Sequence, residues 1–269
     1  GNWDRAEYGL IKARVAIKSG LIFACFDDTG PSLDEYLGDF GWYMDWTFDG
    51  DTKDLKITQQ QRFRVHANWK TLAEQITGDG YHAQTLHKGM TELLGSWPAS
   101  FAGAIQVFSQ KGHTLFSWDV PQRLRGEPAD FNVFSDGQGL LRQIFPCSQV
   151  AAGAVGGHEA RRVSFGQFYP KGPNEYEIWS ALISKAEGSV AQRTTFGSAS
   201  TRRDISGDLT SFILADDTQQ GPSIQRTAQG FIARHRATMK YNGYNGQEKK
   251  PDGWPGPGLV YAGTPKDDN

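Results

Sequence analysis

Residues 54–82, DLKITQQQRFRVHANWKTLAEQITGDGYH, place a strand-like pattern directly before a helix-like one. From 54 to 67, apolar and polar residues alternate as they do in a half-exposed β-strand. Asn68 is a favourable N-cap for a helix that starts immediately after it. Apolar residues at the spacing of one helical face then follow: Trp69, Leu72, Ala73 and Ile76. The stretch therefore predicts a strand that leads into a helix with one face in the core.

Two glycines, Gly78 and Gly80, flank Asp79 where this helix would continue. Each glycine destabilises a helix interior by about 1 kcal/mol, so we expect the helix to end or deform here. His82 and His87 follow closely. In a regular helix, residues five apart point about 140° away from each other, so only an interrupted segment lets both imidazoles reach one metal ion. The alternative is a polar loop that contains two histidines by chance.

A carboxylate that could complete a metal site occurs in FILADDTQQ (212–220), within a helix predicted from about 207 to 240. Asp216 and Asp217 follow an apolar helical face there, and a carboxylate beside a core-facing surface is costly unless its charge is compensated. A capped, solvated helix segment is the alternative, and helical phase does not choose between the two aspartates. Two histidines and one aspartate form the facial triad of non-haem iron(II) oxygenases.

Other segments predict further strands, each bounded by turn residues. We expect hairpins at 13–28 with a turn at Ser19–Gly20, at 104–120 with a turn at Lys111–Gly112, and at 163–184 with a turn around Lys171–Gly172–Pro173. Ser32 is the expected N-cap of a short helix that a glycine ends. No repeat or linker divides the chain, so residues 1–269 predict one α+β domain in which a few helices pack on an antiparallel sheet.

Composition excludes several classes of function. The chain has 28 Lys+Arg against 30 Asp+Glu, a balance that does not favour binding to nucleic acid or to an anionic membrane. Its longest apolar runs are too short to cross a bilayer, and no export signal is visible, so a cytoplasmic protein is expected.

The histidines outside the segment described above have no ligand-like neighbours and are interpreted as non-ligands: His66, His113, His158 and His235.

The two cysteines, Cys25 and Cys147, lie in apolar surroundings and are interpreted as reduced core residues. The sequence contains neither a CxxC nor a Cys-x-His motif. The chain alone is therefore not expected to hold a cysteine-ligated zinc ion or an iron–sulfur cluster.

With these residues in place, the chain resembles the catalytic domain of the Rieske non-haem iron ring-hydroxylating oxygenases, in particular the large (α) subunits of the naphthalene and biphenyl dioxygenase type. Four segments carry the resemblance: NWKTLAEQITGDGYHAQTLH (68–87), SGLIFACFDDTGPSLDEYLGDF (19–40), LLRQIFP (140–146) and FILADDTQQ (212–220). The first is similar to the family's iron-binding segment. The resemblance implies a helix-grip fold, an antiparallel sheet wrapped around helices with a mononuclear iron between them.

The resemblance also implies roles for individual residues. His82, His87 and Asp217 are expected to bind Fe(II). Asp79 is similar to a bridging aspartate that hydrogen-bonds the first histidine and faces a cluster-binding histidine of a neighbouring subunit. Gln75 matches an amide near the iron. The expected apolar pocket positions, each equally well explained by core packing, are Ile76, Ala83, Met90 and Ile213.

For the whole enzyme, the resemblance implies an N-terminal Rieske [2Fe–2S] domain that this chain lacks, so we expect the chain to be a truncated product. Electrons would come from a ferredoxin or reductase through the Rieske domain of a neighbouring subunit in a trimer, with or without a small β subunit. The aromatic stretch FGWYMDW (40–46) could contact such a partner or pack in the core.

The implied reaction uses O2 to cis-dihydroxylate an arene, or inserts a single oxygen atom. The apolar pocket positions favour a neutral or polycyclic arene, although Arg142 could pair with a carboxylate if it faces inward. Two other functions fit the same residues. One is a non-enzymatic helix-grip module that binds an apolar ligand. The other is a zinc hydrolase, for which the sequence offers no general base beyond Asp79.

Overall fold

The computed structural model describes residues 4–48, 55–78, 82–86, 105–118, 139–154, 161–185, 209–236, 250, 254 and 256–262. Its helices are a short 3-10 turn (Arg5–Tyr8), α1 (Leu33–Leu37), α2 (Phe40–Phe48), α3 (Trp69–Gly78), α4 (His82–Thr85), α5 (Leu209–Gln229) and α6 (Phe231–Arg236). Its strands are β1 (Arg14–Lys18), β2 (Leu21–Cys25), β3 (Leu55–Val65), β4 (Ile105–Phe108), β5 (Thr114–Trp118), β6 (Gly139–Ile144), β7 (Ser148–Ala154), β8 (Arg161–Gly172), β9 (Glu175–Lys185) and β10 (Leu259–Ala262).

Eight strands form one antiparallel sheet in the order β10-β4-β5-β6-β7-β8-β9-β3, and β1 pairs with β2 in a separate hairpin. Helices α3 and α5 pack against the large sheet and against each other. The α+β prediction is therefore confirmed, as is the expected passage from strand β3 through Asn68 into helix α3. Among the helices of the described segments, none has both the length and the apolarity needed to span a bilayer.

The register gives the sheet two distinct faces. Directly paired residues share a face, so Phe63 of β3, Ile178 of β9 and Phe168 of β8 all lie on the face that we call the inner face. They pack in a cluster with Leu72 and Ile76 of α3. The opposite, outer face has its own buried cluster, in which strand residues pack against α1 and α2. These strand residues are Val107, Leu115, Val150 and Val260.

The N-terminal turns follow the sequence closely. Ser19 and Gly20 both have positive φ at the hairpin turn, and Ser32 and Glu35 form a reciprocal capping box that starts α1. The stretch 40–46 belongs to α2, where Phe40, Tyr43 and Met44 are at most 1% exposed and pack in the core, whereas Trp42 is exposed. The sequence analysis did not predict this helix because its own aromatic residues lie on several sides of it and obscure the 3.6-residue spacing of apolar positions.

Two details differ from expectation. Gly172 is still paired with Glu175, so the β8–β9 turn consists of residues 173–174, and of the predicted turn residues only Pro173 belongs to it. Both cysteines are free, but Cys25 is exposed rather than buried. That prediction was wrong because Cys25 ends a two-stranded hairpin, where its thiol lies at the surface beside the Arg14 guanidinium.

Candidate metal centre

The start of helix α3 is attached to two other parts of the fold. The Asn68 side chain accepts a 3.0 Å hydrogen bond from the backbone N–H of Lys70, which is the predicted N-cap interaction, and donates a 2.9 Å bond to the carbonyl of Pro173 in the β8–β9 turn. Its backbone N–H donates to Oε1 of Gln225 on α5. These bonds fix α3 relative to both the sheet and α5.

Helix α5 approaches the same region closely at Gly221. A Cβ atom at this position would lie 3.3 Å from Cβ of Ala67 and 3.5 Å from Oγ1 of Thr71. Asp217, Gly221 and Gln225 are spaced by four residues and therefore lie along one side of α5. Because Gly221 and Gln225 both contact the start of α3, Asp217 is directed towards α3 as well.

Asp217 lies in a buried cluster of polar side chains. Its Oδ1 atom accepts a 2.6 Å hydrogen bond from Nε2 of Gln75 and lies 3.6 Å from Nε2 of His82. The exposed fraction is 11% for the Asp217 side chain and 18% for that of His82. Three helices thus bring together an amide and an imidazole that are seven residues apart and a carboxylate that is more than 130 residues further along the chain.

The donor set and its spacing fit a divalent metal ion. Two atoms that each bind one ion at about 2.1 Å, with an angle of 90–120° between them, are about 3.0–3.6 Å apart. The 3.6 Å between His82 Nε2 and Asp217 Oδ1 lies at the upper end of that range. Nitrogen and carboxylate ligands suit iron and zinc. A buried carboxylate is also more stable beside a cation, so both atoms fit a metal site.

The other predicted site residues divide into three groups. His87, Asp79 and Met90 lie outside the described residues. Ala83 and Ile213 lie within α4 and α5, and their side chains, like that of Arg142 in β6, are outside the description. Ile76 is 6% exposed and packs in the inner-face cluster, and Asp216, next to Asp217, is only partly buried.

Tyr176 is a neighbour of this site that sequence reasoning missed. It lies on the inner face of β9 and is fully buried. Burial raises the pKa of the Tyr176 hydroxyl, and the negative charge of Asp217 acts in the same direction. Tyr176 therefore remains neutral beside Asp217. A tyrosine in an alternating strand gives no sign in the sequence that it will lie beneath a particular carboxylate.

His113, interpreted from sequence as a non-ligand, is completely buried away from this cluster. Its Nδ1 accepts a 3.0 Å hydrogen bond from the backbone N–H of Phe145, and its Nε2 lies 2.9 Å from the carbonyl of Tyr36. This pattern corresponds to a neutral ring that donates from Nε2. Burial also lowers the pKa of His113, which is consistent with a neutral structural residue.

Comparison with known proteins identifies similar chains along most of the length. Residues 52–249 match the family described as the ring hydroxylating alpha subunit (catalytic domain). The biphenyl dioxygenase subunit alpha of Metapseudomonas furukawaii is 26% identical over 97% of this chain and 61% of its own length. The N,N-dimethyl phenylurea N-demethylase subunit alpha of Sphingobium sp. is 38% identical, over 34% of this chain and 20% of its own length.

A solved structure supports the same fold. Naphthalene 1,2-dioxygenase from Rhodococcus sp., bound to indole, superposes with a TM-score of 0.70 at 23% identity, over 95% of this chain and 63% of that one. The chain thus spans about three fifths of the length of the biphenyl dioxygenase subunit and of the naphthalene dioxygenase chain.

Proposed function

The chain belongs to the ring hydroxylating alpha subunit (catalytic domain) family, as its resemblance in sequence predicted, and we propose that it is the iron-binding domain of an oxygenase. The proposed reaction uses Fe(II) and O2 to cis-dihydroxylate an aromatic substrate. One observation carries the proposal: His82 Nε2 and Asp217 Oδ1 lie 3.6 Å apart in a buried site built from separate helices.

In this proposal His82, His87 and Asp217 hold the iron, and Gln75 fixes the orientation of the Asp217 carboxylate through the 2.6 Å hydrogen bond. Iron, when bound, supplies the redox chemistry with dioxygen. The chain's own residues bind it, exclude water and position the substrate. The proposed apolar lining consists of Ile76, Ala83, Met90 and Ile213.

The electron supply is proposed from the family. Asp79 would orient the ring of His82 and face a Rieske [2Fe–2S] domain of a neighbouring subunit, which a ferredoxin or reductase would reduce. A trimer, with or without a small β subunit, would bring the two domains together. We place this assembly in the cytoplasm.

A single oxygen insertion is the second candidate reaction. The N-demethylase subunit and the large oxygenase component of the naphthalene 1,2-dioxygenase of Pseudomonas aeruginosa are each 38% identical over 34% of this chain, so similarity supports both reactions equally. Hydroxylation of an N-methyl group and dihydroxylation of a ring require the same iron site. They differ in which substrate atom is held beside the metal.

Metal content tests the proposal. The purified protein is prepared anaerobically, its metals are quantified, and the metal-free form is titrated with Fe(II). We expect about one iron per chain and loss of that iron in His82→Ala, with His66→Ala, an exposed histidine, as the matched control. Zinc in place of iron would favour a hydrolase, and binding of neither metal would favour a carrier of apolar ligands.

A further inference from the structure

The inner face of the sheet is unexpectedly polar where it crosses β4 to β7. Four buried side chains there are polar, each at most 6% exposed: Gln106, Thr114, Gln143 and Gln149. We call them the amide strip. A sheet face covered by a helix is normally apolar, because burying an amide without a hydrogen-bond partner costs free energy.

The register places the amide strip on the same face as the candidate metal centre. Thr114, Gln143 and Gln149 lie directly opposite one another on neighbouring strands. Gln149 in turn lies opposite Gly166, where a Cβ atom would be 3.3 Å from Cγ of Gln149. Because Gly166 has no side chain, the Gln149 side chain can occupy this space. A Cβ atom on Gly166 would also lie 3.8 Å from the Phe168 ring.

Phe168 connects the amide strip to α3. It packs in one cluster with Leu72 and Ile76 of α3, and α3 also contacts β5, β6 and β8. The next residue before Ile76 is Gln75, whose amide holds Asp217. The amide strip and the candidate metal centre therefore lie beneath and beside the same ten-residue helix.

Two atoms of the amide strip have unused hydrogen-bonding capacity. Within the described residues, Oε1 of Gln149 and Oγ1 of Thr114 are buried and make no hydrogen bond. Such groups are rare in folded proteins, where buried polar atoms are normally paired. Both can accept a hydrogen bond, and the Thr114 hydroxyl can also donate one.

We propose that the amide strip is a polar subsite of the substrate pocket and that the substrate is an aromatic compound with an N–H or O–H group, not an unsubstituted hydrocarbon. This inference rests on the proposed function in one respect: it takes the pocket to be the substrate site of the proposed oxygenase. A site built to hydrogen-bond a donor discriminates strongly against an analogue that lacks it, because its own buried groups are then left unpaired.

Two probes of nearly equal shape test the subsite: indole, which has an N–H donor, and indene, which has none. Isothermal titration calorimetry measures both dissociation constants in the purified full chain. We expect indole to bind at least about tenfold more tightly than indene. In Gln149→Met the preference should fall to within about threefold, and Thr114→Val should reduce it by a smaller factor. The matched control is Gln60→Met, the same change at an exposed position of β3.

Thermal unfolding verifies that each variant is folded before binding is measured. Equal affinity for indole and indene in the unaltered protein, or no measurable binding of either, would overturn the subsite. A preference that persists in both Gln149→Met and Thr114→Val would overturn it as well. Because binding of these probes does not require iron, a protein that binds iron without the preference refutes the subsite alone. A protein that shows the preference but binds no iron refutes the proposed oxygenase alone.

Discussion

The Gln75 amide donates a 2.6 Å hydrogen bond to Oδ1 of Asp217, the same oxygen that lies 3.6 Å from the His82 ring. Both Gln75 and Asp217 are buried. One carboxylate oxygen is thus held by a fixed donor from α3 while it faces the candidate ligand from α4. Such a contact sets the direction in which the carboxylate can approach a metal ion.

Removing the Gln75 amide should weaken iron binding without unfolding the protein. Gln75→Met keeps the size of the side chain but loses the donor, so the Asp217 carboxylate can rotate. We expect the affinity for Fe(II) to fall by about 10–100-fold in an anaerobic titration. Glu74→Gln changes the exposed neighbour on the same helix and should leave the affinity unchanged. An unaltered affinity for Fe(II) in Gln75→Met would show that the Gln75 side chain contributes only to core packing and does not position Asp217.

The two adjacent aspartates should behave differently. Asp217→Asn removes the charge from the carboxylate that faces His82, whereas Asp216→Asn changes its partly exposed neighbour. We expect Asp217→Asn to lose stoichiometric iron and Asp216→Asn to retain about one iron per chain. Metal analysis of the two proteins side by side decides between them, and the reverse result would assign the ligand to Asp216.

Local patterns predicted the elements, but not which residues meet. The path from β3 through Asn68 into α3 was predictable because alternation, an N-cap and helical spacing are properties of neighbouring residues. Helical phase did not choose between Asp216 and Asp217, and only the family resemblance favoured Asp217, although Gly221 and Gln225 mark the side of α5 that approaches α3. That signal becomes readable only once α5 is known to pack there.

The amide strip shows a second limit of prediction from sequence. Glutamines that alternate with apolar residues in a strand, such as Gln106 in AIQVF (104–108), normally indicate the solvent side. Here both faces of the sheet are covered, one by α3 and the other by α1 and α2. Periodicity of two separates the faces correctly, but it cannot say that the polar face is also buried.

Gly221 should be intolerant of a side chain because α5 lies so close to the start of α3. In Gly221→Val, the new atoms would meet Ala67 and Thr71, and the helices would have to separate. We expect a loss of about 1–3 kcal/mol in the free energy of unfolding, together with weaker iron binding as Asp217 moves away from His82. Denaturant unfolding measures the first and Fe(II) titration the second.

Gly172 provides the matched control for this substitution, since nothing lies within 4 Å of where its Cβ would be. Gly172→Val should leave both the stability and the affinity for iron nearly unchanged. Equal losses in the two variants would mean that the cost comes from replacing glycine in general, not from the contact between α5 and α3.

Acid should destabilise the fold partly through Glu177. This carboxylate is only 4% exposed and accepts 2.8 Å hydrogen bonds from Arg62 on both oxygens, with Lys171 at 3.4 Å. The Arg62 hydrogen bonds, with the positive charges of Arg62 and Lys171, lower the pKa of Glu177 from 4.5 to about 2. Because the pKa is lower in the folded state, the stabilisation is fully present above pH 4.5 and is lost as the pH falls towards 2.

Replacing Glu177 should therefore change the pH dependence of stability as well as stability itself. In Glu177→Gln we expect a lower melting temperature at pH 6 and a shallower decrease between pH 5 and pH 3 than in the unaltered protein, because the titrating group is gone. Thermal unfolding across this pH range measures both, with Asp28→Asn as a control at an exposed carboxylate. Parallel curves for Glu177→Gln and the unaltered protein would show that the ion pairs of Glu177 with Arg62 and Lys171 contribute nothing to acid stability.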